Sequence, residues 1–76
     1  MKGLVEAIAK SLVDNPDAVE VTEQTEKQVT IVTLKVAADD MGKVIGKQGR
    51  IAKAIRTVVK SAAMKSNKKV VVEIVQ

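Results

Sequence analysis

The residues of this 76-residue chain best suited to chemistry stand together at Val44-Ile45-Gly46-Lys47-Gln48-Gly49-Arg50. Two glycines bracket two long polar side chains, with an apolar approach before them and a helical pattern beginning at Ile51. The chemistry on offer is anion binding. Glycine lacks a Cβ, so the main chain can take positive φ and admit a bulky ligand close to its N–H groups. A helix that starts just after the turn points unpaired N–H groups and its positive dipole end at the same place. Lys47 and Arg50 would add charge at a phosphate backbone, and Gln48 a hydrogen-bonding spacer. The competing reading is that Gly46 and Gly49 only make a tight turn between helices.

Other chemistries lack their actors. The chain has no Cys and no His, which removes disulfides, thiolate metal sites, the commonest zinc ligand and the usual acid–base group at neutral pH. Gly42 is followed five residues later by Lys47, where a Walker A loop needs its second glycine, and no G-x-G-x-x-G is present. Asp39-Asp40 has the composition for magnesium, but an N-cap in front of a short helix explains the pair without a metal. No cofactor is expected and an enzyme is the weakest reading. Phe, Tyr and Trp are also absent. Single-strand binders of the RRM and OB types stack bases on aromatic rings, so those folds are disfavoured and any nucleic acid must be held by backbone, charge and aliphatic surface.

The elements that must position the glycine motif follow from periodicity. Leu4, Ile8 and Leu12, widened by Val5 and Ala9, predict an amphipathic helix over residues 2–14, ended by Asn15-Pro16. Val19 to Thr25 and Val29 to Ala37 are rich in β-branched residues, and the polar Thr25-Glu26-Lys27-Gln28 between them suggests an antiparallel hairpin whose second strand buries Val32, Leu34 and Val36. Asp39 or Asp40 would cap a short helix running to the glycines. Ile51, Ile55, Val58, Val59 and Ala62 then form the apolar stripe of a further helix, with Lys53, Arg56 and Lys60 opposite. That stripe broadens through Ala52, Val59 and Ala63, which leaves open whether it includes a dimer surface. Ser66-Asn67-Lys68 closes the helix and Val70 to Val75 forms a last strand, with Val70, Val72 and Ile74 on one face and Glu73 on the other. The order is α-β-β-α-α-β: an α+β fold with helices on one face of a three-stranded sheet, a single domain over residues 1–76.

Charge is divided along the chain. Residues 1–38 carry four lysines against six carboxylates, a net of −2, whereas residues 39–69 carry nine Lys and Arg against Asp39 and Asp40, a net of +7. A basic half gathered around a glycine turn is the footprint of a polyanion partner. Met1 to Val13 carries Glu6 and Lys10 in an amphipathic pattern unlike a signal peptide, and no apolar run approaches the ~20 residues of a membrane span, so a cytoplasmic protein is expected.

Ile45-Gly46-Lys47-Gln48-Gly49 followed by a helix resembles the signature of the KH domain, whose GXXG loop clamps about four nucleotides of single-stranded RNA or DNA. Gly42 fits the glycine-containing approach such domains often show. A helix and hairpin before the motif and one strand after it resemble the type II arrangement. Only about 25 residues follow Arg50, too few for the type I order. A chain that is nothing but one such domain is similar to the KhpA family of small bacterial RNA-binding proteins. The resemblance spans the whole length and is strongest over Asp39 to Val59. It implies a low-specificity RNA chaperone or post-transcriptional regulator, acting as a homodimer or paired with a KhpB (Jag)-type KH protein.

On this reading Gly46 and Gly49 carry the loop conformation, with the N–H groups of residues 47–50 on phosphate oxygens. Lys47, Gln48 and Arg50 make the outer contacts. Ile45 and Ile51 pack in the core while partly facing the groove. Lys43, Lys53 and Arg56 are further candidates for phosphate contacts, and Lys65, Lys68 and Lys69 are read as solubilising or helix-dipole residues. Two rivals stay open. A helix-turn-helix DNA binder would read a groove with Lys53, Arg56 and Lys60, and a protein-interaction module would touch no nucleic acid.

Overall fold

Three segments of β-branched residues pair into one sheet, and the segments with helical periodicity cover a single face of it. The computed structural model describes residues 1–65 and 69–76. The expected helix stop at Ser66-Asn67-Lys68 lies outside the described residues. Helix α1 (Lys2–Leu12), strands β1 (Glu20–Glu26) and β2 (Val29–Lys35), helices α2 (Met41–Ile45) and α3 (Arg50–Met64), and strand β3 (Lys69–Val75) follow the expected α-β-β-α-α-β order. Short 3-10 turns at Pro16–Ala18, Ala38–Asp40 and Lys47–Gly49 join them.

Strand β2 is central. It pairs antiparallel with β1, Glu26 opposite Val29 across a two-residue turn, and parallel with β3, Val29 opposite Lys69 and Lys35 opposite Val75. Parallel neighbours need a long crossover, and here the crossover is the stretch that carries the glycine motif. A 15-residue helix is about 22 Å long. A seven-residue strand is nearly the same, about 23 Å. Helix α3 therefore returns along the full length of the sheet. The glycine turn at its start lies at the end of the sheet where β2 finishes.

Alternation decides which side chains meet the helices. Thr30, Val32 and Leu34 are buried along β2, as is Val36 just past its end, and Val72, flanked by the partly buried Val70 and Ile74, does the same on β3. Val71 and Val75 stand on the uncovered face. With no aromatic ring available, the core is mostly valine: Val5, Val19, Val21, Val32, Val36, Val44, Val59 and Val72, with Ala9, Leu34 and Ile55. Each full burial of a side chain of this size contributes about 1.5–3 kcal/mol.

The structure refines the stripe of α1 and corrects its end. The line that meets the sheet is Val5 and Ala9, both 0% exposed, while Leu4 is 37% exposed and Ile8 and Leu12 only partly buried. Ile8 and Leu12 pack at the edge of the core, where α1 meets α3, and Leu4 lies at the surface. The helix also stops at Leu12, short of residue 14. The amides that would have continued it, those of Asp14 and Asn15, are drawn to a carboxylate elsewhere in the chain.

Candidate functional site

The glycine turn is built from backbone that only part of the amino-acid alphabet tolerates. The N–H of Gly46 donates to the Gly42 carbonyl at 2.8 Å and closes α2. Gly46 itself sits at φ 76°, ψ 175°, a region essentially reserved for glycine. A Cβ there would stand 2.6 Å from Cγ1 and 2.9 Å from Cδ1 of Ile51. Gly46 is therefore required twice, for its torsion and for the isoleucine packed across it. Gly49 is left-handed at φ 74°, ψ 16°, with open space where a Cβ would go. Between them Gln48 also has positive φ, 57°, one of only two non-glycine residues to do so among those described.

The turn spends two of its own donors internally. Gly49 N–H donates to the Gly46 carbonyl at 3.2 Å, and Arg50 N–H to the Lys47 carbonyl. Of the four N–H groups expected to face a ligand, those of Gly49 and Arg50 are thus already engaged within the turn. The side chains of Lys47, Gln48 and Arg50 are exposed around it.

Helix α3 divides into flanks. Ala52, Ile55, Val59 and Ala63 are its buried line. They belong to the core of the chain itself, which removes Ala52, Val59 and Ala63 as a surface for a second copy. At about 100° per residue, Lys53, Arg56 and Lys60 fall on one flank, all exposed, and Arg56 Nε reaches the Val72 carbonyl of β3 at 3.3 Å. Ile51, Ala54 and Val58 fall on the other. With Ile8 and Leu12 of α1, Ile55 and Arg50, they line an apolar groove of about 420 Å³. Val58, expected in the core, is 46% exposed there.

Asp40 does not cap α2. No side chain caps that helix or the preceding 3-10 turn, which corrects the expectation for both Asp39 and Asp40. Instead the Asp40 carboxylate is buried and accepts the amides of Asp14 at 3.2 Å and Asn15 at 3.1 Å. Burial pushes its pKa up, but those two amides, the Asn15 side chain and the charge of Lys43 outweigh it and hold the group below the ordinary carboxylate value. Lys43 is hydrogen-bonded and ion-paired to Asp14, and its Nζ lies 3.7 Å from Asp40. The bond to Asp14, partly opposed by desolvation, raises the Lys43 pKa.

The backbone path through Gly46, Gln48 and Gly49, set between a five-residue helix and a 15-residue one, defines the site, and the family profile described as KhpA/KhpB, KH domain, matches residues 2–74. The chain belongs to this family. Its KhpA relatives align end to end. The RNA-binding protein KhpA of Clostridium acetobutylicum is 71% identical over 75 residues, covering 99% of this chain and all of the relative. That of Clostridium perfringens is 69% identical with the same coverage. The RNA-binding protein KhpA of Aquifex aeolicus is 47% identical over 76 residues, all of this chain and 96% of the relative. Among solved structures, an Aquifex aeolicus Era variant bound to GDP and AlF4− superposes with a TM-score of 0.70 over 96% of this chain and 28% of Era, at 19% identity. That likeness concerns the fold alone.

Set on this KH fold, the residues picked from sequence divide by place. Gly46, Lys47, Gln48, Gly49 and Arg50 form the turn, with Ile45 and Ile51 partly buried against the core on either side. Lys53 and Arg56 share the basic flank of α3. Lys43 points to the α1 end, where carboxylates hold it. Sequence reasoning missed the contact of Asp40 with Asp14 and Asn15. It joins residues 25 and 26 positions apart, and no local pattern announces it.

Proposed function

We propose that this protein binds single-stranded RNA through the Gly46-Lys47-Gln48-Gly49 turn, without catalysis, and serves as a low-specificity RNA chaperone or post-transcriptional regulator in the cytoplasm. The observation that carries the reading is the turn itself. Its positive-φ path through Gly46, Gln48 and Gly49 and the exposed side chains of Lys47, Gln48 and Arg50 stand at the mouth of α3, where a helix N-terminus adds positive potential. The relatives named RNA-binding protein KhpA supply the ligand class. Lys53 and Arg56 extend the phosphate path along the basic flank of α3, while Ile45 and Ile51 give bases an aliphatic edge in place of rings. Lys43 contributes least, because it must first leave two carboxylates. No helix among the described residues is long and apolar enough to cross a membrane.

The apolar flank of α3 supports a second reading of the same molecule, assembly with another KH domain. A second copy, or a KhpB (Jag)-type partner, would cover Ala54, Val58, Ile8 and Leu12 without touching the basic flank. The clamp is tested by Lys47→Asp combined with Gln48→Asp. Aspartate tolerates the left-handed backbone of position 48, so the fold should persist. Single-strand RNA affinity should fall at least tenfold, as expected when phosphate contacts of about 1.5–3 kcal/mol become repulsions. Binding that survives the change, or duplex DNA that outcompetes single-stranded RNA, would sink the clamp.

A further inference from the structure

We propose that Asp40 is a positioning residue for the glycine turn, a buried carboxylate that fixes where the turn stands by tying the start of α2 to the amides of Asp14 and Asn15 and never touches RNA. The proposal rests on the RNA-binding reading above. Helix α2 is only five residues long, and Val44 is its one fully buried side chain. Met41 and Ile45 pack only partly against the core beside it, and apolar contact is non-directional, so it seats a short helix without fixing its tilt. Asp40, just before the helix and 1% exposed, is the second anchor. Its carboxylate takes one amide on each oxygen from the segment that leaves α1. Gly46 follows six residues later, about 9 Å along a helical path, so a tilt at Asp40 is delivered directly to the turn. Lys43, lying between the carboxylates of Asp40 and Asp14, closes the same junction from the solvent side.

Asp40→Asn keeps the shape of the side chain but gives up the charge and one of the two acceptor oxygens. The experiment measures binding of a fluorescein-labelled, unstructured RNA of mixed sequence at a temperature where all proteins are folded. Val70→Ala, on β3 opposite Thr30 at the end of the sheet far from the turn, serves as a control for loss of core packing. The expected result is an affinity about five-fold or more weaker for Asp40→Asn, in the usual range of coupling between sites, with an unchanged salt slope and wild-type binding by Val70→Ala. Affinity within about two-fold of wild type overturns the proposal, since coupling that small lies below that range. So does a reduced salt slope, which would mean that a phosphate contact was lost. Should Asp40→Asn not fold, hydrogen exchange in wild-type protein decides. Coupling is reciprocal, so saturating RNA must slow the Asp14 and Asn15 amides, and unchanged exchange rejects the anchor. If wild-type protein binds no RNA, the proposed function fails separately. The loop amide shifts of free Asp40→Asn protein then decide, displaced in support or unmoved in refutation.

Discussion

Gly46 and Gly49 look equivalent in the motif but not in the structure. An L-residue in the left-handed region costs about 1–2 kcal/mol, and that is all Gly49→Ala should lose, because its Cβ would enter open space. Gly46→Ala meets a torsion essentially closed to alanine and the Ile51 side chain at 2.6 Å. Overpacking adds about 1–3 kcal/mol, so chemical denaturation should show Gly46→Ala as clearly the worse of the two, with equal losses contradicting the packing described. Asp40 gives a prediction in pH. Its folded pKa lies below the ordinary value, which is about 3.9 in an unfolded chain. The group therefore stabilises the fold above that value, and the contribution disappears as pH falls through the folded pKa. Urea midpoints of wild type and Asp40→Asn should run parallel near neutral pH and converge below about pH 4. A gap that stays constant into acid would remove the carboxylate from this account.

The hairpin between β1 and β2 turns in two residues, and the first of them, Lys27, has φ 54°. Two-residue hairpins favour glycine where φ is positive. Lys27→Gly relieves a left-handed lysine, worth about 1–2 kcal/mol, against a glycine entropy cost of about 0.5–1 kcal/mol. A small rise in melting temperature is expected, and a fall would show that the lysine side chain holds the turn. At this scale the sequence announced most of the fold, because each element carries its own period. The alternation of Val32, Leu34 and Val36 and the stripe of α3 need no tertiary knowledge. The direction of β3 beside β2 and the rotation of α1 were not legible, since both are set by what packs opposite. Leu4, Ile8 and Leu12 outweigh Val5 and Ala9 in hydrophobicity, yet the smaller pair lets α1 lie close on the sheet. The candidate site divides in the same way. Its glycines are local and readable, whereas the anchor at Asp40 depends on Asp14 and Asn15 arriving from another element.

Over the whole molecule, α3 presents two flanks, one basic and running from the glycine turn toward β3, the other apolar, facing α1 and meeting the turn at Arg50 and Ile51. The proposed second copy, seated over Ala54, Val58, Ile8 and Leu12 and short of Arg50 and Ile51, would leave both glycine turns open, and two linked turns gain from effective concentration rather than from new contacts. The chain itself should be indifferent to this surface. Val58 is 46% exposed, so Val58→Lys should change stability by no more than about 0.5 kcal/mol. It places a charge on the groove wall, and if copies pair there, light scattering should report a dimer for wild type and a monomer for Val58→Lys. One KH clamp holds about four nucleotides, so an RNA of that length engages one protomer and should bind Val58→Lys as it binds wild type. A longer RNA that reaches both clamps should lose about tenfold or more, the lower part of what bivalence supplies. Equal losses on short and long RNA would place Val58 in the clamp itself. No loss on either, with the dimer intact, would mean that copies meet on another face.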